Sequence, residues 1–250
     1  MKKLVFFLII TLLYSTPCLA VKTFSLVTVD FPPYYGRDLP NQGWVSEVVT
    51  AALKIQGYEA EIRFMPWTEA VESTKEGDYD ALLGAYRTRE RSKLYYFTAP
   101  IGQVRTGLFK RKDNNISFSE LNELKKYKIG VVKGYATSKR FDSADFLEKI
   151  PVSNLNTGLK QVYNGILDLM ADSRAVGKYQ IKNLENETPG ISSEIEFIKP
   201  VLAMNKIYVA ISKKATKAQK QLIHFNQGFR KIYLNGTFKK IKEKHKKNNE

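Results

Sequence analysis

The chain has 250 residues, of which 43% are hydrophobic, 12% aromatic and 26% charged. That length suits one large domain or two modest ones, and the composition excludes the disordered and fibrous classes. The formal charge of +15 admits nucleic acid, an anionic membrane or anionic ligands as partners.

Lys2 and Lys3 open the chain, and Leu4 to Leu13 is apolar apart from Thr11. Ser15, Thr16 and Pro17 follow, then a Cys18-Leu19-Ala20 end. This is the three-part layout of a secretory signal peptide, with cleavage expected after Ala20 and the periplasm as destination. The apolar run is well short of the roughly 20 residues that span a bilayer, which argues against an anchor. Pro17 fits a lipoprotein signal poorly. Export argues against nucleic acid as the partner. Cys18 is the single cysteine, so the mature chain would carry no disulfide, cysteine nucleophile or cysteine metal site. No second long apolar run follows, and the mature chain is expected to be soluble. Without Lys2 and Lys3 the charge falls from +15 to +13. Six lysines against one glutamate between Lys239 and Lys247 read as a solvated helix end.

After Ala20 the patterns alternate. Thr23 to Val29 reads as a strand. Trp44 to Ile55 carries Val45, Val48, Val49 and Ala52 at helical spacing, with Gly57 as a stop. Glu59 to Phe64 alternates as a strand, Trp67 to Lys75 is a helix ending at Gly77, and Asp80 to Ala85 is a buried strand. This β-α-β-α-β run predicts a mostly parallel sheet covered by helices. The pattern then restarts. Thr106 to Lys110 is a strand, Phe118 to Lys126 a helix capped near Ser119, and Lys128 to Val132 a strand. A helix is expected from about Thr137. Gly158 to Tyr163 is helical, Asp168 to Ala171 a strand and Arg174 to Leu184 a helix. Glu194 to Ile198 and Ile207 to Ser212 read as two strands, and helices run from Lys217 to the end with a break at Asn235-Gly236. The reading is two doubly wound α/β lobes joined by a double-crossing hinge. The first comprises residues 21–100 and 208–250, the second 106–202, with crossings near 101–105 and 203–207.

In open α/β sheets, ligands sit beyond the carboxyl ends of the strands. Four clusters lie there: Asp30 to Tyr35, Pro66-Trp67, Gly84 to Arg91, and Gly134 to Thr137. Pro32 and Pro33 hold the first stiffly. Singly, each has a plain explanation. Aromatics after a strand often pack lobes, an Arg-rich turn is often a solvated loop, and a glycine before a helix is ordinary turn chemistry.

Together and in order, these segments resemble the amino-acid-type family of periplasmic solute-binding proteins, the two-lobed ligand proteins of ABC importers. The landmarks are FPPYYG at Phe31 to Gly36, Gly43 to Glu47, Pro66-Trp67, Gly77 to Ala81, Arg87 to Arg91, Phe97 to Pro100, Val131 to Gly134 and Leu234 to Phe238. They cover essentially residues 21 to 245. The resemblance implies the type II fold of such proteins, a small carboxylate or amino-acid ligand, an inner-membrane permease as partner, a monomer, and no cofactor, metal or catalytic residue. It implies that Arg91 clamps the ligand's carboxylate, chemistry that a planar guanidinium suits. It places Gly84 and Tyr86 against the ligand, with Tyr86 standing where a small Ser or Thr is usual. Phe31 and Trp67 would flank the ligand's side chain. Ala136, at a helix start, would present a backbone N–H to the carboxylate. An aspartate receiving the ligand's ammonium is expected eight residues after the glycine of Asn164-Gly165-Ile166-Leu167-Asp168. That position is Ser173, and Asp172 precedes it, on the opposite face if the strand continues. Either the strand end shifts so that Asp172 serves, or the ammonium contact is absent and another carboxylate is the ligand.

Two further classes share this fold. A dehydratase would need a positioned acid or base, for which Glu47, Glu69 and Glu90 are the candidates by sequence. A sensor would dock its closed lobes on a membrane receptor. His224 and His245 share no metal spacing and read as surface or core residues.

Overall fold

The computed structural model describes residues 22–247. The expected signal segment, residues 1–20 with Cys18, lies outside the described residues.

The first half of the fold is built on β1 (Lys22–Thr28), which buries Phe24, Leu26, Val27 and Thr28. Strand β2 (Tyr58–Phe64) pairs with one edge and β3 (Ala81–Tyr86) with the other, both parallel. Between these strands run α1 (Trp44–Lys54) and α2 (Trp67–Glu76). Helix α1 turns Trp44, Val45, Val48, Val49 and Ala52 inward, the stripe expected at 3.6 residues per turn. Gly77 ends α2 in the left-handed conformation at φ 96°. Helix α3 (Arg89–Leu94) starts at Thr88, whose hydroxyl accepts the amide of Arg91. A short β4 (Tyr95–Phe97) follows.

Strand β5 (Gly102–Arg111) carries the chain out of this half. The second half holds β6 (Lys128–Val132), α4 (Lys139–Asp142), β7 (Glu148–Val152), α5 (Leu155–Tyr163), β8 (Leu169–Ser173), α6 (Arg174–Leu184) and α7 (Ile191–Glu194). Strand β9 (Ile195–Ser212) brings the chain back. Helices α8 (Ala218–Leu234) and α9 (Thr237–Lys247) then pack on α1.

The strands form one sheet in the order β2-β1-β3-β9-β5-β8-β6-β7, with β4 paired to β9. Its two ends are parallel α/β units, and its middle is antiparallel. The middle is where the chain crosses. Gly102 pairs with Ile207, Gln103 with Lys206, Val104 with Asn205 and Arg105 with Met204. Both segments expected as crossings therefore lie inside one two-stranded ladder.

Three expectations differ from the structure. The two strands expected at Glu194 to Ile198 and Ile207 to Ser212 are one strand of 18 residues: Ala203 to Lys206 also pair with β5, and residues 199–202 form an irregularity at which the register shifts. The helix expected over Phe118 to Lys126 is a single 3-10 turn at Leu121–Leu124, capped reciprocally by Glu120 and Glu123. Its two buried residues, Leu121 and Leu124, are three apart, the repeat of a 3-10 turn. The helix expected from Thr137 is one turn only, starting after Ser138. The short β4 and β7 were not apparent in the sequence pattern. Among the described residues, no helix is long and apolar enough to cross a membrane.

The return of the chain to the first half depends on close helix contact. A Cβ on Gly228 of α8 would lie 2.0 Å from the Ala52 carbonyl oxygen of α1. Gly228→Ala is therefore expected to push α8 off α1 and cost about 1–3 kcal/mol, the usual range for overpacking. Urea denaturation would show this as a lower midpoint; an unchanged midpoint would mean that the two helices part freely.

Candidate functional site

The two ends of the sheet enclose a cavity of about 370 Å3. All eight residues singled out from the sequence line it: Phe31, Trp67, Gly84, Tyr86, Arg91, Ala136, Asp172 and Ser173. They arrive from six separate segments of the chain: the loops after β1 and β6, strand β3, the first turns of α2 and α3, and the junction of β8 with α6.

The first wall is aromatic. After β1 the chain folds back on itself, with the Phe31 amide donating to the Tyr35 carbonyl at 2.8 Å. Phe31 stacks on Tyr35 at 5.4 Å between ring centroids. The Tyr35 hydroxyl donates to the Gly84 carbonyl at 3.4 Å. Gly84 is a bulge in β3 with φ +85°, where a Cβ would lie 2.2 Å from the Tyr35 oxygen. Glycine is thus required there for both backbone angle and space. Tyr86 ends β3 and Trp67 opens α2. The indole Nε1 of Trp67 is buried, with no acceptor among the described residues.

Arg91 sits in the first turn of α3, fixed by the Thr88 cap. Its guanidinium donates to the Tyr86 carbonyl at 3.1 Å and, across the cavity, to the Gly134 carbonyl at 3.2 Å. It also lies 5.1 Å from the centre of the Trp67 ring, a cation–π arrangement. Burial pulls Arg91 below its ordinary pKa, but a guanidinium stays charged. Two of its five N–H groups are used, which leaves donors for an anion.

The second wall comes from β6, β8 and the turns after them. Tyr135 meets Trp67 edge-on at 6.3 Å. The Thr137 amide donates to both carboxylate oxygens of Asp142, at 3.2 and 3.1 Å. Asn205 of β9 ties this turn to the crossing ladder by donating to the Thr137 carbonyl at 2.8 Å and to the Thr106 hydroxyl at 3.0 Å. Helix α4 is too short to supply much dipole, and the amide of Thr137 is already matched by Asp142. The wall next to Ala136 therefore offers an anion less than a long helix would.

Asp172 and Ser173 both line the cavity, although neighbours in a strand should face opposite ways. The alternation ends because Ser173 is also the N-cap of α6, where its hydroxyl accepts the Val176 amide. Asp172 is 4% exposed. Its Oδ1 accepts the Ser173 amide at 2.5 Å, and its Oδ2 has no donor among the described residues. Burial lifts its pKa to about 7, against the pull of the Ser173 amide. Its charge, added to their own burial, pushes the hydroxyls of Tyr86 and Tyr135 upward as well.

Several lining residues escaped notice as individuals. Tyr35 and Tyr135 stood inside the quoted segments, but nothing in sequence separated them from their neighbours. Thr106, Asp142 and Lys149 carried no signal. Conversely, the acid–base candidates are not brought together. Glu47 binds Lys244 at 2.5 Å and His245 at 2.7 Å, pinning α9 to α1, and these partners hold its carboxyl below the usual range despite burial. Glu69 lines a separate surface depression, and Glu90 is exposed at the start of α3. His224 meets the Tyr58 hydroxyl at 3.1 Å. Among the described residues, no group of three His, Cys, Asp or Glu side chains could hold a metal ion.

The family model for bacterial extracellular solute-binding proteins, family 3, matches residues 26–248. Among solved structures, a histidine kinase sensor domain described as similar to periplasmic binding proteins superposes with a TM-score of 0.77 at 21% identity, covering 89% of this chain and 95% of that one. A mutant of ArgBP from T. maritima gives 0.73 at 18%, covering 89% and 94%. The substrate-binding protein of an amino acid ABC transporter gives 0.72 at 19%, covering 89% and 98%. At these identities the likeness shows the fold. No curated protein matches the chain in sequence.

The raised pKa of Asp172 makes a stability prediction. A carboxylate in an unfolded chain titrates near 3.9, so the folded state holds its proton more tightly. That preference stabilises the unliganded protein below the unfolded value and is lost as pH rises through about 7. Asp172→Asn removes the dependence. The stability of the wild type relative to Asp172→Asn should fall by on the order of 4 kcal/mol between pH 4 and pH 8.5. Urea denaturation of both proteins across that range measures it; a flat difference would mean that Asp172 is not desolvated.

Proposed function

We propose, for a chain that belongs to the bacterial extracellular solute-binding proteins of family 3, the capture of a free amino acid in the periplasm for delivery to an ABC importer. The likeness to the substrate-binding protein of an amino acid ABC transporter supports this destination. The protein acts here as a binder without catalysis. One observation carries the ligand class: Asp172 is a buried carboxylate lining the cavity whose Oδ2 has no hydrogen-bond partner among the described residues, while Arg91 lines the same cavity with donors to spare. A buried charge that is left unpaired is costly, so the site favours a ligand that brings the missing cation. A zwitterion does so and also presents a carboxylate to Arg91. Of the two routes open from sequence, Asp172 as the ammonium partner is the one we propose.

In this reading Arg91 and the Trp67 indole meet the ligand's carboxylate, and Asp172 its ammonium. Phe31, Trp67 and Tyr86 enclose the side chain. Gly84 leaves room for the backbone approach, while Ala136 and Ser173 close the second wall. Residues 21–100 with 208–250 would form one body and 106–202 the other, turning about 101–105 and 203–207. Asp172 belongs to one body and Arg91 to the other, so a ligand that touches both makes contacts only the closed form offers. Such differential contacts are what shift an opening–closing equilibrium.

A sensing role is the second reading, favoured by the likeness to a histidine kinase sensor domain. The same closure would then be read by a membrane receptor. Co-purification of the liganded protein with an ABC permease supports import, and with a receptor supports sensing.

The test of the site is a thermal-shift screen of protein refolded to strip bound solute, against the common amino acids and small carboxylates. An amino acid at a hundred times its Kd should add about 2.7 kcal/mol of stability. Arg91→Ala should weaken that binding by about 2–5 kcal/mol, the range for breaking one side of a desolvated charge pair. Affinity unchanged in Arg91→Ala would overturn the carboxylate clamp, and shifts only with carboxylates lacking an amino group would overturn the role of Asp172.

A further inference from the structure

The charge of this chain is unevenly spread. From Lys22 to Ser212 it holds 26 lysines and arginines against 23 aspartates and glutamates, but from Lys213 to Lys247 it holds twelve against Glu243 alone. The second stretch is α8 and α9 with the turn before them. Some of its lysines serve the fold. Lys214 binds Glu76, Lys244 binds Glu47, and Lys242 lies over the Trp44 ring. Others face outward. Helix α8 turns Ala218, Gln221, Phe225, Gly228 and Ile232 inward. Its opposite side carries Lys220, Ile223, Gln227, Arg230, Lys231 and Leu234, all exposed and at the spacing of one helix face. No carboxylate among the described residues pairs with Lys220, Arg230, Lys231 or Lys240. Leu234 at 73% and Tyr233 at 64% are the most exposed large apolar side chains described, and Ile223 is 54% exposed. Lys239 and Lys240, also exposed, open α9 just beyond them. Tyr233 packs on Phe238 of α9 at 5.6 Å between ring centroids, and Phe238 meets Phe229 of α8 at 5.7 Å. The corner between the two helices is therefore a fixed platform.

A single exposed leucine is ordinary, and so is a run of solvated lysines. Here the two coincide on one platform. A stable protein interface would need about 800 Å2 a side with a packed apolar centre. Ile223 and Leu234 are separated on their face by Gln227, Arg230 and Lys231, so they form no such centre. A bilayer asks for less. Dispersed cations on long side chains reach anionic headgroups without a matched geometry, and a few apolar or amphipathic side chains enter the boundary beneath. Tyrosine suits the headgroup level in particular. We propose that the α8–α9 corner docks on an anionic bilayer surface, with Tyr233 and Leu234 entering the headgroup layer and Arg230, Lys231, Lys239 and Lys240 meeting lipid phosphates. No residue of α8 or α9 lines the cavity, so docking leaves the solute site free. A periplasmic carrier held this way searches for its membrane partner in two dimensions instead of three.

The experiment is co-sedimentation of the protein, without its expected signal segment, with two kinds of vesicle. One is phosphatidylcholine alone, the other phosphatidylcholine mixed with phosphatidylglycerol. The expected result is affinity roughly tenfold or more higher for the anionic vesicles, falling as ionic strength rises. Arg230→Glu with Lys231→Glu should abolish that preference. Lys178→Glu with Lys182→Glu makes the same change of charge on the exposed side of α6 and should leave most of it. Leu234→Ser, which alters no charge, should weaken binding several-fold. Circular dichroism melting of each variant shows that it folds. Equal affinity for the two vesicles would overturn the inference. Equal loss in the two charge-reversed proteins would also overturn it, because net charge and not this face would then be the cause. Full binding by Leu234→Ser would overturn the entry of the corner into the headgroup layer. A partner protein that co-purifies only while Arg230 and Lys231 are intact, with no vesicle binding, would give the face to a protein and overturn the membrane. None of these outcomes depends on which solute the cavity takes.

Discussion

Everything in this molecule hangs on the ladder between β5 and β9. These two strands pair from Gly102↔Ile207 to Arg111↔Ile195, and each passes from one half of the sheet into the other. The pairing shifts register beside Gly107, where a Cβ would meet the Phe197 ring at 2.4 Å. Gly107 is also the residue of β5 opposite Asp172 of β8. The same ladder therefore joins the halves and sets the height at which the buried carboxylate enters the cavity. Asn205, which donates to Thr106 on the same ladder, also donates to the Thr137 carbonyl and ties the second wall to it. Two strands held by backbone hydrogen bonds bend as a unit more easily than they separate, which is what a hinge requires.

On that frame the site is left electrostatically incomplete. Asp172 is desolvated and lacks a full set of partners, while the guanidinium of Arg91 rests on two carbonyls and a Trp67 ring. Burying such a group costs stability in the unliganded protein, and a ligand of opposite charge removes the cost. In the proposed reading, ligand affinity is bought with folding free energy. The contact from Arg91 to Gly134 shows how the two walls meet: the group expected to hold the ligand also bridges the cleft. Ligand binding and closure would then share one residue, so each strengthens the other.

Much of this was legible in the chain, and the rest was hidden for physical reasons. Helix α6 reads directly as Arg174 to Leu184, since its apolar spacing is clear and Ser173 caps it. The segments from Phe31 to Gly36 and from Arg87 to Arg91 pointed to the cavity because they follow strand ends and, together and in order, resemble the landmarks of one family; singly each had a plain explanation. Strand β9 misread as two strands because Glu196, Lys199, Asn205 and Lys206 interrupt its apolar pattern, and at the crossing both faces meet solvent. Asp172 could not be placed from spacing alone. Its facing depends on whether β8 ends before or after it, and Ser173 plays strand residue and helix cap at once. Asp142 and Lys149 were invisible because a turn and a strand edge bring them to the cavity.

The central claim, that a buried carboxylate of raised pKa receives the ligand's cation, is tested most directly by proton linkage. Asp172 is mostly protonated in the unliganded protein at pH 6, and a bound cation requires it ionised. Binding should therefore release close to one proton at pH 6 and none at pH 9. Calorimetric titration of the best-binding amino acid in buffers of different ionisation enthalpy measures that number. Release that disappears at pH 9 and in Asp172→Asn is the predicted result. Binding with no proton release at pH 6 would contradict the account, because the cation would then sit somewhere other than on Asp172.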